Sequence, residues 1–281
     1  MIDRRTKNAE IFRDTERRYT TDQALVQAVR QSTKAQMFIA EKAIVDVAVP
    51  SKTEKAKVIV SGKRSLEAAE HYAKQGKKVC VLNFAAATNP GGGVVNGSSA
   101  QEECICRCTT LYPCLNADQM WNVFYEPHRK VVNPLYNNDC IYTPNVCVFK
   151  SDTKFPEPIL KEDWWSVNIL TCAAPNLREH PSNRMNPHAG NLAAKITQSE
   201  LERLLTERIR RVFEVAVANQ NEVLILGAFG CGAFRNPPEI VAKVFNKVMQ
   251  DYLYYFDSIE YAVYHTEREM ANYEAFSKII K

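Results

Sequence analysis

The sequence lacks any run of apolar residues approaching the roughly 18–20 that a membrane span requires. Its first 18 residues are charged throughout and lack the apolar segment of a secretory signal. The nine cysteines are spread over 281 residues, which is no pattern for a disulfide framework. We therefore expect no membrane segment and a reducing cytoplasm, where the cysteines are free thiols.

The sequence also lacks a strong charge of either sign, because its net charge is only +4. A surplus this small argues against non-specific nucleic-acid binding but still suits a small anionic ligand. The length of 281 residues suggests one large domain or two small ones. We expect a monomer with no membrane partner and no direct sequence-specific binding to nucleic acid.

A metal-binding pattern is missing as well. Cys104, Cys106 and Cys108 form a C-x-C-x-C segment, which is a poor arrangement for tetrahedral zinc on a helix. No pair of histidines lies nearby, so we interpret these cysteines as small core residues. His180 and His188 have no ligand-like spacing, and we interpret them as surface residues, with contact to the ligand as the alternative.

Apolar runs and helical periodicity alternate along the chain. The apolar runs predict strands at 36–40, 43–49, 57–60, 77–84, 140–149, 167–172, 222–227 and 259–264. Periodicity and end signals predict helices at 4–30, 65–75, 101–115, 198–219, 238–253 and 267–279. Residues 173–197 have the composition of a long surface loop. This alternation indicates a three-layer α/β/α fold on a largely parallel or mixed sheet.

Two glycine-rich segments each follow a buried strand. The first, GGGVVNGSSAQEE, spans 91–103, and the second, LILGAFGCGAFRNPP, spans 224–238. Glycine lets backbone N–H groups approach a ligand, and the start of a helix adds free donors. Neither segment has the Gly-Lys-Ser/Thr of a P-loop or the G-x-G-x-x-G of a dinucleotide-binding turn. Either loop alone can be a packing turn; two together predict a diphosphate held from both sides.

Glu102 and Glu103 stand at the start of the helix that follows the first glycine segment. Acidic residues are favoured in a first helical turn by the helix dipole, so a purely structural role is the alternative. Adjacent carboxylates do not fit the usual glycosidase pair, whose carboxyl groups lie at least about 5 Å apart across the sugar. We expect one carboxylate to orient a substrate hydroxyl while the other acts at the scissile bond.

Five segments together resemble the signature of the microbial-type poly(ADP-ribose) glycohydrolases. They are NFAAATNPGGG with QEE seven residues later, CRCTTLYPCL, YTPNVCVFK, ILTCAAPN and LILGAFGCGAFRNPP. The resemblance covers roughly residues 77 to 264. It implies a macrodomain-like fold over 56–281, with a helical accessory extension over 1–55 packed on that catalytic domain.

The resemblance also implies a role for each candidate residue. Glu103 would be the catalytic acid–base group, Glu102 would position the ribose hydroxyls, and Gln101 would support this acidic segment. Phe234 would pack on the distal ribose, and Asn89 lies where it could bond to the ribose. Backbone amides of the two glycine loops would hold the diphosphate and distal ribose; the residues concerned are Gly91, Gly92, Gly93, Gly230, Cys231, Gly232 and Ala233. We expect a Cβ at Gly92 or Gly232 to collide with the ligand or to require an unfavourable φ.

The expected activity is exo-acting hydrolysis of the ribose–ribose bonds of poly(ADP-ribose), with release of ADP-ribose. A partly apolar setting would raise the pKa of Glu103 enough for acid work near neutrality. The expected partners are ADP-ribose, its polymer and ADP-ribosylated macromolecules, and the chemistry requires neither a metal nor a cofactor. One alternative is a hydrolase of mono-ADP-ribose on protein or nucleobase; another is a non-catalytic ADP-ribose-binding module, against which the two glutamates argue.

A backbone cradle makes a prediction about ligand affinity. ADP-ribose should bind without added metal, and AMP or ribose alone should bind much more weakly, because each lacks part of the diphosphate-linked contact. Isothermal calorimetry in the presence of a chelator measures both properties. Loss of ADP-ribose binding under chelation would exclude a cradle built from backbone amides.

Overall fold

The computed structural model describes residues 3–50, 52–183 and 187–281. Its strands are β1 Met37–Ile39, β2 Lys57–Ser61, β3 Val79–Phe84, β4 Cys140–Val148, β5 Trp165–Cys172, β6 Val223–Leu226 and β7 Ser258–Ala262. Its α-helices are α1 Arg4–Thr21, α2 Gln23–Ala35, α3 Ser65–Ala73, α4 Gln101–Cys108, α5 Leu111–Leu115, α6 Asp118–Met120, α7 Glu126–Val131, α8 Gln198–Ala218, α9 Pro238–Met249 and α10 Ala271–Ile279.

The strands form one mixed seven-stranded sheet in the order β1-β4-β5-β3-β6-β7-β2. The five strands from β5 to β2 pair in parallel, whereas β4 is antiparallel to both β5 and β1. Neighbouring parallel strands end at the same edge of the sheet, which is where ligands bind in open α/β folds. The predicted α/β class with a mixed sheet is confirmed.

Helices cover both faces of the sheet. Alternate residues of β3 point to opposite faces, so Cys80 and Leu82 join one core while Val79 and Val81 join the other. Helices α8, α9 and α10 contribute to the first core, and α3, α4 and α5 contribute to the second. A strand buried on both faces needs the nearly continuous apolar run that residues 79–84 provide. Across the described residues, no helix is both long and apolar enough to cross a membrane.

Three predicted elements differ from the structure. The predicted strand at 43–49 is irregular, and Ile44 is 97% exposed and Val49 86% exposed, because these residues pair with no strand. The predicted helix 4–30 is divided at Asp22, whose carboxylate accepts a hydrogen bond from Ala24 N at 2.8 Å and starts α2. The predicted helix 101–115 is interrupted at Thr109, which has extended φ and ψ and bridges to Val148.

The extension predicted over residues 1–55 contributes to the body of the fold. β1 pairs with β4 at the edge of the sheet, with Met37 opposite Tyr142. Helix α1 buries Phe12 completely. The buried Lys150 ammonium donates to Ile11 O at 3.0 Å and lies 2.9 Å from the Asp14 carboxylate. The boundary at 55/56 stays a prediction, and the structure adds that both sides of it share a sheet and a core.

Helix α1 also packs against the segment that leads into α4. Asn8 Nδ2 donates to Gly97 O at 3.1 Å, and Thr15 Oγ1 donates to Arg107 O at 2.6 Å. Gly97 has a φ of +77°, and a Cβ at this position would lie 2.0 Å from Arg5 O. The backbones therefore approach each other so closely that only glycine fits.

This contact predicts a difference between two glycines with the same backbone conformation. Gly76 has a φ of +78°, but a Cβ there would meet nothing within 4 Å. Gly76→Ala should cost about 1 kcal/mol of unfolding free energy, from the left-handed conformation alone. Gly97→Ala should cost about 2–4 kcal/mol, because it adds an overpacked contact with α1. Urea unfolding followed by circular dichroism measures both losses, and equal losses would show that the α1 contact is not tight.

Candidate active site

The carboxyl ends of β3, β6 and β7 meet at one edge of the sheet, and two cavities open there. The first has a volume of about 290 Å³, and the second about 490 Å³. The predicted site residues that line one or both are Gly92, Gly93, Gln101, Glu102, Glu103, Gly230, Gly232, Ala233 and Phe234. Asn89, Gly91 and Cys231 are not among the described lining residues. Glu103 and Phe234 line both cavities, so the cavities meet beside them.

Gln101 joins the start of α4 to the end of β3. Its side-chain oxygen accepts a hydrogen bond from Phe84 N at 2.9 Å, and its nitrogen donates to Leu82 O at 2.8 Å. The nitrogen also donates to Ser65 Oγ at 3.0 Å. Because both the oxygen and the nitrogen of the side-chain amide are hydrogen-bonded, the first turn of α4 is held against β3.

Glu102 is buried, with only 3% of its surface exposed. Its Oε2 accepts a hydrogen bond from Ala86 N at 2.8 Å, and its Oε1 accepts one from Asn83 Nδ2 at 3.3 Å. Burial, and then the neighbouring Glu103 carboxyl, raise the pKa of Glu102 well above its ordinary value. The carboxyl group is thus fixed in orientation by the end of β3 and the residues after it.

Glu103 has one anchored oxygen and one without a partner. Oε1 accepts a hydrogen bond from Gly93 N at 2.9 Å. Oε2 is buried and has no hydrogen-bond partner among the described residues. Burial raises the pKa of the Glu103 carboxyl, although the Gly93 amide lowers it in part. A raised pKa keeps an acid protonated to higher pH, so this group suits proton donation in the neutral range.

The first glycine loop holds the two carboxyl groups. Gly92 N donates to Asn89 O at 3.0 Å, Gly93 N donates to Glu103, and a backbone hydrogen bond from Gly91 lowers the pKa of Glu102. From the sequence, these amides are predicted to bind the diphosphate. In the structure, they donate hydrogen bonds to the glutamates and within the turn. Asn89 Nδ2 donates to Gly92 O within this turn, and its contact with a ribose stays a prediction.

Gly92 is the position where a side chain would do most damage. Its φ is +58°, and a Cβ would lie 2.6 Å from Glu103 Oε1 and 3.1 Å from Glu102 Oε2. Both reasons for a glycine, an unusual φ and a close approach, therefore apply here, as the sequence predicts. The close approach is to the protein's own carboxyl groups.

In the second loop, the tight position is Gly230. Its φ is +74°, and a Cβ would lie 2.5 Å from Ala174 Cβ and 2.6 Å from Asn236 Nδ2. Asn236 holds this turn, because its amide donates to Gly230 O at 3.1 Å and to Pro175 O at 2.7 Å. At Gly232 the protein imposes no constraint, because its φ is not left-handed and a Cβ there would meet no described protein atom within 4 Å. The expected collision of such a Cβ with the ligand stays a prediction.

The second loop presents free N–H groups to the cavities. Its internal hydrogen bonds use Cys231 N and Arg235 N, which donate to Ala228 O and Gly232 O. Within the described part of the chain, no hydrogen bond uses the N–H groups of Gly232, Ala233 or Phe234. Three successive amides that no described residue uses leave donors available for an anion. Phe234 also lies 6.1 Å from Tyr136 between ring centroids.

Several lining residues were missed by the sequence analysis. The first cavity is also lined by Phe84, Arg64 and Tyr264, and the Arg64 guanidinium lies 4.0 Å over the Tyr264 ring. The second is also lined by Arg4, Arg5, Asn8 and Arg178. Phe84 ends β3, and Arg64 and Tyr264 follow β2 and β7, so their position at the carboxyl ends of parallel strands was a usable signal. Arg4, Arg5 and Asn8 lie on α1 and follow no strand, so this signal could not identify them.

Of the cysteines singled out in the sequence, only Cys104 lines the first cavity, and neither His180 nor His188 lines either described cavity. Cys106 and Cys108 are buried, and the half-buried Cys104 accepts a hydrogen bond from Arg107. His180 and His188 are exposed. Among the described residues, no group of three or more His, Cys, Asp or Glu side chains is arranged to hold a metal ion.

Comparison with known proteins gives one family. The model of the microbial-type PARG catalytic domain matches residues 6–151. The poly(ADP-ribose) glycohydrolase (PARG) from Thermomonospora curvata has a similar structure, with a TM-score of 0.83 and 27% identity over 97% of this chain and 99% of its own. The Deinococcus radiodurans PARG in complex with ADP-ribose has a TM-score of 0.73 and 27% identity over 89% and 95%. Comparison with curated proteins finds no match.

The two lining glycines predict different consequences for valine substitution. Gly232→Val should leave the unfolding free energy within about 0.5 kcal/mol of wild type, because Gly232 is exposed and a Cβ there meets no atom of the described residues within 4 Å. It should nevertheless weaken ADP-ribose binding, since the side chain enters the cavity. Gly92→Val should lower both stability and binding, because it displaces Glu103. Calorimetric titration measures the affinity for ADP-ribose, and urea unfolding measures stability. Full ADP-ribose affinity in Gly232→Val would show that the second loop is only a turn and does not bind the ligand.

Proposed function

The chain belongs to the family of microbial-type PARG catalytic domains and is a poly(ADP-ribose) glycohydrolase, and we propose that it acts on the terminal unit of the polymer with Glu103 as its acid–base group. The observation that carries the proposal is the Glu103 carboxyl group. One of its oxygens is anchored on Gly93 N, and the other is buried, unpartnered and placed where the two cavities meet.

We propose that the terminal ADP-ribose occupies the first cavity. The free amides of Gly232, Ala233 and Phe234 face its diphosphate, and their donors need no charged side chain for this. The Glu102 carboxyl group then orients ribose hydroxyls beside the anomeric carbon. This division of labour revises the sequence interpretation: the second loop binds the diphosphate, and the first loop positions the carboxyl groups.

The reaction follows from a single acid–base group. Protonated Glu103 donates its proton to the departing 2′-oxygen, and the ribose–ribose bond breaks with oxocarbenium character at the anomeric carbon. The Glu103 carboxylate then accepts a proton from the water that attacks this carbon. Burial supports the first step because it raises the pKa of Glu103, and the Phe234 ring supports the second by limiting the space for water.

Exo action is supported by the far end of the first cavity. There the Arg64 guanidinium packs on the Tyr264 ring, and the Asp152 carboxylate is held by Leu66 N at 3.0 Å. A chain that continued through the cavity would have to displace these groups, whereas a terminal unit ends before them. The same site would accept mono-ADP-ribose on a protein or nucleobase; comparing the turnover of the polymer with that of mono-ADP-ribosylated substrates decides between them.

We propose that residues 1–55 act as an accessory segment of the catalytic domain over 56–281. The contacts of α1 with Gly97 and Arg107 support this assignment, because Gly97 precedes α4 and Arg107 belongs to it, and α4 carries the two glutamates. We further propose a macrodomain-like ancestry for the sheet and its ligand edge. A cytoplasmic location is supported by the free cysteines, of which Cys140 and Cys172 face each other on neighbouring strands.

The proposed roles predict different kinetics for the two glutamates. Glu103→Gln should lower kcat by roughly 10³–10⁴, because one residue serves both proton transfers. ADP-ribose affinity should remain, since the diphosphate is held by the second loop. Glu102→Gln is the matched control; it should lower turnover and also weaken binding, because it misplaces the ribose. Initial rates of ADP-ribose release and calorimetric affinities give the comparison, and an undiminished rate in Glu103→Gln would end this assignment.

A further inference from the structure

The second cavity meets the first beside Glu103 and beside Ala233 and Phe234 of the second loop. From there it extends over the first turn of α1, which the first cavity does not reach. With a volume of about 490 Å³, it is larger than the first, at about 290 Å³. In a glycosidic cleavage, the leaving group lies beyond the scissile bond from the bound sugar. The second cavity therefore adjoins the place that the leaving group must occupy.

The lining of this cavity is rich in arginine. Arg4 and Arg5 come from α1, and Arg178 comes from the segment after β5. The lining carboxyl groups are Asp3 and Glu103, and Glu103 is the proton donor in the reaction. Among the described residues, none of the three arginines forms an ion pair. Unpaired guanidinium groups beside a reaction centre are suited to bind a phosphate group.

A second, independent feature of the cavity is Asn8. Its side chain is only 1% exposed, and its Nδ2 donates to Gly97 O at 3.1 Å. Its Oδ1 has no hydrogen-bond partner among the described residues, although Asn8 lines the cavity. A buried acceptor without a partner is costly, so it indicates a hydroxyl or amino group supplied from outside the protein.

On α1, Arg5 is held in place by contacts with the segment before α4. Arg5 Nε donates to Asn96 O at 3.0 Å, and Arg5 O lies against Gly97. These contacts belong to the same segment that leads into Glu102 and Glu103. Because the helix is fixed relative to the carboxyl groups, binding to its arginines does not have to order a mobile segment.

We propose that the second cavity is a subsite for the leaving part of the polymer, in which Arg4, Arg5 and Arg178 bind the diphosphate of the unit next to the terminal one. The proposal rests on the proposed function, because it assigns the leaving group of that reaction. A protein side chain or a nucleobase carries no such diphosphate. The subsite therefore makes the enzyme prefer the polymer to mono-ADP-ribosylated substrates.

The test compares two substrates that share the terminal ADP-ribose and differ in the leaving group. One is poly(ADP-ribose); the other is an aryl glycoside of ADP-ribose, whose phenol leaving group has no phosphate. The variants are Arg4→Gln/Arg5→Gln and Arg178→Gln. Lys7→Gln is the matched control, because it removes an exposed cation from α1 that lies outside the cavity and near Glu10.

For both arginine variants, kcat/KM on the polymer should fall roughly 10- to 100-fold, which corresponds to about 1.4–2.7 kcal/mol. The fall on the aryl glycoside should be at least tenfold smaller, and Lys7→Gln should retain wild-type activity on both substrates. The polymer KM of wild type should also rise with salt more steeply than that of the double variant, because exposed charges are screened. Circular dichroism melting verifies that each variant is folded.

Equal losses on the two substrates, or no loss on the polymer, would overturn the leaving-side subsite while the hydrolase assignment stands. A wild-type enzyme that cleaves the aryl glycoside but not the polymer would overturn both the subsite and the polymer as substrate. Activity on neither substrate would overturn the hydrolase assignment itself, and the subsite with it.

Discussion

The site depends on the burial of two adjacent carboxyl groups in the first turn of α4. Buried carboxyl groups require hydrogen-bond donors, and here the donors are backbone amides of the segment after β3, such as Ala86 N and Gly93 N. Because those amides must lie directly against the carboxyl groups, Gly92 has no space for a Cβ. The raised pKa values, the glycine triplet and the anchoring of Gln101 to β3 all follow from this one packing requirement.

Helix α1 belongs to the same arrangement, although it is distant in sequence. It contacts Gly97 before the glutamates and Arg107 after them, so it holds α4 from both ends of its first two turns. The buried Lys150 ammonium secures the helix through Asp14 and Ile11. The accessory segment thus packs against α4 and the residues before it, which carry the reaction centre. The first turn of α1 also lines the second cavity.

Local signals in the sequence identify most strands of the sheet, whereas the roles predicted for the two glutamates come from the family resemblance. Apolar runs such as 79–84 identify buried strands, and glycines after a strand identify the ligand edge. The sequence was less informative where contacts between residues distant in sequence determine the local structure. Residues 43–49 have the composition of a strand but find no partner, and the amides of the first loop are taken by carboxyl groups whose approach no local pattern records. For the same reason Gly230, and not Gly232, is the constrained glycine.

The contacts of α1 with residues far along the sequence have a consequence for biosynthesis. Helix α1 is synthesised before its partners, because Thr15 precedes Arg107 by 92 positions and Ile11 precedes Lys150 by 139 positions. At roughly 5–20 residues per second, the second interval lasts about 7–28 s. During that time α1 lacks the contact with Lys150 that secures it. Because Phe234 lines both cavities, the site is complete only after most of these 281 residues have been translated.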